Sequence, residues 1–178
     1  ISGAASLDIT NSKCTATNVH WTYDTYALSV GTGGAMVKAG KKNWFFVTAD
    51  YAFGHNLERD TAAVVNSSGG KVVGSVRHPF PGSDFSSFLL KAQASGAQVI
   101  GLANAGQDTI NSIKQAAEFG ITQKQTIVPL LMFITDVHSL GLKAAQGLTV
   151  TEGFYWDFND KTRAWSKRFF AQHKRMPS

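Results

Sequence analysis

What this sequence lacks narrows it first. Cys14 is its only cysteine in 178 residues, so no disulfide can close within the chain and no thiolate cluster can hold a metal. No apolar run approaches the ~20 residues of a membrane span. His20, His55, His78, His138 and His173 are scattered, and no two stand at the spacing of a metal-binding pair. There is no Gly-x-Ser-x-Gly elbow. Gly31-Thr32-Gly33-Gly34 comes nearest to a phosphate loop, but no strand immediately precedes it, and both the dinucleotide spacing and the P-loop Lys-Ser/Thr are missing. No cofactor and no metal is expected.

What is present describes a globular domain of ordinary size, 43% hydrophobic and 16% charged, long enough to bury a real core. The formal charge of +5 is local. Residues 160–178 carry Lys161, Arg163, Lys167, Arg168, Lys174 and Arg175 against Asp160 alone, and the rest of the chain is neutral. A basic helix without a groove-reading motif reads as a solvated face, and no nucleic-acid partner is expected. The chain starts at Ile1-Ser2-Gly3 with no initiator Met or signal segment and stops just after a helical pattern, which suggests a piece of a longer protein.

The organising stretch is Lys42 to Gly54. Residues 44–49 are almost continuously apolar and rich in aromatic and β-branched types, as in a strand covered on both faces of a parallel sheet. The period then switches: Leu57, Thr61, Val64, Val65 and Ser68 share one helix face, and Gly69-Gly70 ends it. Further strands are predicted at 71–78, 97–103 and 126–131, with a fifth candidate at Leu148-Thr149-Val150 and a short one at Val19–Tyr23. Helices are predicted at 25–39, from Asp84 as N-cap to Gly96, at 107–119 and at 135–145. This alternation predicts an α/β fold, a three-layer, doubly wound, mostly parallel sheet with helices on both faces.

In such sheets ligands bind beyond the carboxyl ends of the strands. The loops there collect Asp50, Tyr51 and Phe53; His78; Asn104, Ala105 and Gly106; and Leu131, Met132 and Phe133. That rim is mainly apolar and aromatic, and it lacks the paired groups of an enzyme. Asp50 could act as an acid or base, but a lone carboxylate at a strand end is more often a loop cap.

Several segments resemble the type I periplasmic solute-binding proteins of ABC transporters, in the branched-chain amino acid-binding branch. Ile1-Ser2-Gly3-Ala4-Ala5-Ser6 is similar to that branch's Ile-Ser-x-Ala-Ala-Thr carboxylate segment, Phe53-Gly54 to its aromatic-glycine pair, and Asp84-Phe85-Ser86 to its Asp-Phe-Ser. Residues 116–120 resemble its helix end. Residues 21–26 and 49–54 resemble the subgroup associated with aromatic carboxylates. The resemblance implies one lobe of a two-lobe fold: residues 1–23 a remnant of the first lobe and a crossover, 24–152 the second lobe, and 153–178 a crossover back and the start of a first-lobe helix. On that basis residues 1–23 and 153–178 should be mobile or should pair with another copy, with Trp165 and Phe169 exposed.

The resemblance also implies a non-enzymatic, periplasmic receptor that takes a small carboxylate and partners a membrane permease. The implied ligand-binding residues are Ala4, Ala5, Ser6, Tyr23, Asp50, Tyr51, Phe53, Asn104, Ala105, Leu130, Met132 and Phe133. Amino acid-binding members hold the ligand's ammonium with an acid in the loop after a later strand, and Leu130 stands at that place. A buried ammonium without a partner costs several kcal/mol. An aromatic monocarboxylate of benzoate or cinnamate type is therefore expected in preference to leucine, unless Asp136 reaches back to serve as the acid. An α/β enzyme with its catalytic residues outside this stretch, a branched-chain amino acid receptor and the sensing core of a transcription regulator remain open alternatives.

Overall fold

Strand β1 (Asn43–Ala49) is the axis of the computed structural model, which describes residues 1–178. Every side chain of β1 after Asn43 is buried. Trp44 and Phe46 join the core on one face while Phe45 and Val47 join the core on the other, because successive side chains of a strand alternate in direction. The unbroken apolar run is what a strand sandwiched between two helical layers requires.

Strands β2 (Lys71–His78), β3 (Val99–Ala103) and β4 (Thr126–Pro129) complete an all-parallel sheet in the order β2-β1-β3-β4. Gly101 sits opposite Phe46 in the β1–β3 register, and a Cβ there would come within 2.8 Å of the Phe46 ring. The glycine is room for the ring.

One face of the sheet carries α1 (Thr25–Leu28), a π-helical turn (Ser29–Gly33), α2 (Gly34–Lys38) and α3 (Ala52–Ser67). The other carries α4 (Ser86–Ala94), α5 (Gln107–Glu118), α6 (Ile134–Leu140) and α7 (Leu142–Ala145). The three-layer, doubly wound expectation holds.

Some expectations are corrected. Leu148-Thr149-Val150 forms no strand; Leu148 and Val150 satisfy their apolar character by packing on the α4/α5-side core instead of extending the ladder beyond β4. Val19–Tyr23 makes only a single bridge, between Ser2 and His20. The helix expected over 135–145 is broken at Gly141, whose φ of +91° no helix accommodates.

The amino-terminal segment is tied to α1 and α3 by hydrogen bonds. Thr25 N donates to Ala5 O at 2.7 Å, Leu7 N to Thr25 Oγ1 at 3.2 Å, and Asn56 Nδ2 to both Ser6 Oγ (2.7 Å) and Asp8 Oδ2 (2.9 Å). Ala5 is buried in the same core cluster as Leu57. Helix α8 (Asp160–His173) differs, since Ser166 is its only buried residue and Trp165 and Phe170 lie exposed upon it.

Candidate functional site

The winding of the sheet picks out one crevice. From β1 the chain leaves into α3 on one face, and from the neighbouring β3 it leaves into α5 on the other. The carboxyl ends of β1 and β3 therefore flank a topological switch point, where open α/β sheets bind ligands.

Gly54 sets the approach of α3 to that crevice. A Cβ there would run into the Ala49 carbonyl oxygen and lie 3.1 Å from Ala103 O, so only glycine lets the first turn of α3 rest on the ends of β1 and β3. This close approach places Tyr51 and Phe53 at the rim.

Around the crevice, half-buried Tyr23, Phe53, Ala105 and Phe133 pack on one core cluster that also contains Ala5 and Leu130. The Tyr23 and Phe133 rings lie 5.5 Å apart and tilted. Ala4 is exposed and its amide donates to Ser2 Oγ at 3.2 Å. The amides of Ala5 and Ser6 donate to no protein acceptor, and Ser6 Oγ accepts from Asp8 N and Asn56 Nδ2. Two free N–H groups beside a hydroxyl are a donor set suited to a carboxylate.

The remaining expected site residues are placed differently. Leu130 and Met132 are 0% exposed and present no surface to the rim. The chain bends as it leaves β4, and the bend sends Leu130 into the α1/α3-side core and Met132 into the α4/α5-side core. Asn104 is equally buried; it receives Thr109 Oγ1 at 2.8 Å and reaches His78 Nε2 at 3.2 Å. Asp50 turns outward, accepting from His55 Nε2 at 2.7 Å and standing 3.8 Å from Arg77. The loop-cap reading suits it better than chemistry. Tyr51 stacks on Phe80, centroids 4.3 Å apart and planes 15° from parallel, with Phe53 at 5.9 Å on its other flank.

Two rim residues escaped the sequence reading. Phe80 lies between Pro79 and Pro81 just past β2, and that position at a strand end was the available signal. Glu152 lies two residues past the Leu148-Thr149-Val150 segment. It lines an open cavity of about 800 Å³ with Trp21, Tyr23, Phe133 and Phe154. Glu152 Oε1 accepts from Ile134 N at 3.1 Å, while Asp136 Oδ2 accepts from Phe133 N at 2.9 Å. Asp136 is thus committed to the start of α6.

Burial raises the Glu152 pKa, and Asp136 adds to the rise against the opposing Ile134 N–H. Burial, then the charges of Glu152 and Asp136, raise that of the Tyr23 phenol. No group of three or more His, Cys, Asp or Glu side chains is arranged to hold a metal. The crevice can stack, bury and hydrogen-bond a small molecule, and it contains no assembled nucleophile and base.

The four parallel strands with helices on both faces match one lobe of a periplasmic binding protein type I fold. The chain belongs to the periplasmic binding protein family, whose profile matches residues 1–178. It is similar to the crystal structure of a periplasmic binding protein from Burkholderia mallei, with 57% identity and a TM-score of 0.94 over 97% of this chain and 46% of that one. A branched-chain amino acid ABC transporter periplasmic ligand-binding protein from Burkholderia xenovorans is 38% identical, with a TM-score of 0.88 over 98% and 47%. An ABC transporter solute-binding protein from R. palustris, solved with benzoate, shares the fold at 23% identity and a TM-score of 0.84 over 98% and 48%. The chain spans about half the length of these structures. No curated protein matches it.

Proposed function

We propose that this chain supplies one lobe of a periplasmic solute receptor that delivers an aromatic monocarboxylate to the permease of an ABC importer and catalyses no reaction. The observation that carries this reading is the convergence of Tyr23, Phe53, Ala105 and Phe133 beside the unpaired amides of Ala5 and Ser6. The amides and the Ser6 hydroxyl take the carboxylate, and the aromatic walls take the flat body, since ring faces and edges pack favourably against one another. Tyr51 extends the wall. Leu130, wholly buried, acts as the floor on which the walls rest, while Asn104 supports the loop that carries Ala105. Benzoate in the R. palustris neighbour is in keeping with this ligand class.

Glu152 favours a second reading. A half-buried carboxylate lining the cavity has the charge to pair with an α-ammonium even though Leu130 is apolar, so an amino acid is the competing ligand. Melting-temperature shifts of the intact two-lobe protein separate the two. A ligand at a hundred times its Kd stabilises by about 2.7 kcal/mol. Benzoate or coumarate is expected to give such a shift, with leucine and valine inert. Stabilisation by leucine or valine alone, abolished by Glu152→Gln, would replace the aromatic reading with the amino acid one.

A further inference from the structure

We infer that Phe80 is a positioning residue, and that the loop between β2 and α4 exists to hold it against Tyr51 so that the Tyr51 ring is already oriented when a flat ligand arrives. The inference rests on the proposed ligand-facing role of Tyr51. It goes beyond that role by assigning a function to the loop that carries Phe80.

The loop is fastened far more heavily than its exposed tip requires. Gly82 N donates to both oxygens of Asp108 at 3.2 Å, Phe85 N to Gln115 Oε1 at 2.7 Å, and Gln115 Nε2 back to Ser83 O at 2.9 Å. At the loop's base His78 Nδ1 bonds Pro79 O at 2.9 Å, and Asn104 Nδ2 bonds His78 Nε2 at 3.2 Å. With the Asn104 amide donating, Nε2 accepts and Nδ1 carries the proton, which is the tautomer a carbonyl partner needs. His78 and Asp108 are almost wholly buried, so the bonds their side chains make are sheltered from water and costly to leave unmade. Pro79 and Pro81 further restrict the backbone on either side of Phe80.

All this rigidity delivers a phenylalanine that remains 49% exposed. A half-exposed ring contributes little to folding, so core burial does not explain the fastening. Its position does. Phe80 lies nearly parallel to Tyr51, whose side chain makes no hydrogen bond in the structure and whose other aromatic neighbour is the tilted Phe53 ring. Asp108 and Gln115 belong to α5, which begins just past the Asn104–Gly106 rim loop. Both sides of the switch point, the Tyr51 side and the Ala105 side, are thereby tied into one rigid unit. A ring held before binding avoids the ordering cost that a free one would incur, an advantage of about two- to tenfold in affinity per side chain.

Titration calorimetry on the full two-lobe protein, with benzoate and p-coumarate as probes, tests this. Phe80→Leu keeps apolar bulk and removes the stack; it should weaken both ligands about fivefold with the melting temperature unchanged. Phe80→Tyr and Phe80→Trp should restore wild-type affinity, which a merely space-filling role would not require. Tyr51→Ala should weaken binding at least as much as Phe80→Leu. Wild-type affinity in Phe80→Leu together with weak binding in Tyr51→Ala would overturn the positioning role alone. Wild-type affinity in Tyr51→Ala would overturn the ligand-facing role of Tyr51, and the inference with it.

Discussion

The sheet and the two ends of the chain use aromatic residues in opposite ways. In β1, Trp44 and Phe46 are completely buried, wedged between strands and helices that this chain itself supplies. Around α8, Phe158 is 76% exposed and Tyr155, Trp165 and Phe170 also face solvent. The side-chain chemistry is the same, so the difference lies in whether a covering layer is available within these residues. Burial at about 25 cal/mol per Å² of apolar surface stabilises the first set fully and the second, still partly in solvent, much less.

The largest effect that could break this comparison is a truncation on each side. Phe46→Ala should cost about 3–5 kcal/mol in denaturant unfolding. Phe158→Ala on the same chain should stay within about 0.5 kcal/mol. Equal costs would mean that the terminal aromatics are already buried, by self-association for example, and sedimentation of the chain would then reveal an oligomer. Repeating Phe158→Ala in the two-lobe protein sharpens the contrast, because a cost appearing only there would identify the missing cover.

The contrast also governs what could be read from sequence. Strands β1 to β4 and helices α3 to α5 were legible because both faces of the sheet are filled by this chain, so apolar runs, helical periodicity and terminal glycines such as Gly120 all point to one arrangement. Leu148–Val150 misled because its two apolar residues, Leu148 and Val150, satisfy core packing as well as they satisfy a ladder. At the site, the strand-end rule located Tyr51, Phe53, Ala105 and Phe133, yet spacing alone could not decide direction. Leu130 and Met132 are two residues apart, but the bend into α6 leaves them on opposite faces of the sheet and both beneath the rim. Glu152 and Phe80 were missed because their partners, Ile134 and Tyr51, are distant in sequence and adjacent only in the fold.

An intermediate effect is expected at the boundary between the two regions. Asn56 is on α3 and buried, but both hydrogen bonds of its Nδ2 go to the amino-terminal segment, at Ser6 and Asp8. Asn56→Ala should cost about 1–2 kcal/mol, since it leaves those partners unmatched. It should also raise amide exchange around residues 5–9 without affecting β1. Unchanged exchange there would show that the Ala5 and Leu7 backbone bonds suffice, and would move the segment firmly to the side of the sheet.

The smallest effect concerns Glu152, where the covered and uncovered regions meet. Its pKa is raised by burial first and by Asp136 second, so the folded state holds the proton more tightly than the unfolded chain does. A raised acid contributes its full stability below the unfolded value, near 4.5, and loses that contribution as pH rises through the folded value. Wild type should therefore lose stability relative to Glu152→Gln as pH climbs from 4 toward 7, whereas Gln, which can still accept from Ile134 N, carries no charge to desolvate. The effect is modest because Glu152 is only half-buried and water screens it. Melting curves of the two proteins across that range decide the matter. A difference that grows with pH places the Glu152 carboxylate in the poorly solvated cavity beside Tyr23 and Phe133. A constant difference would mean that water reaches Glu152 as freely as it reaches the exposed residues of α8, and would remove the physical ground for its pairing with a ligand ammonium.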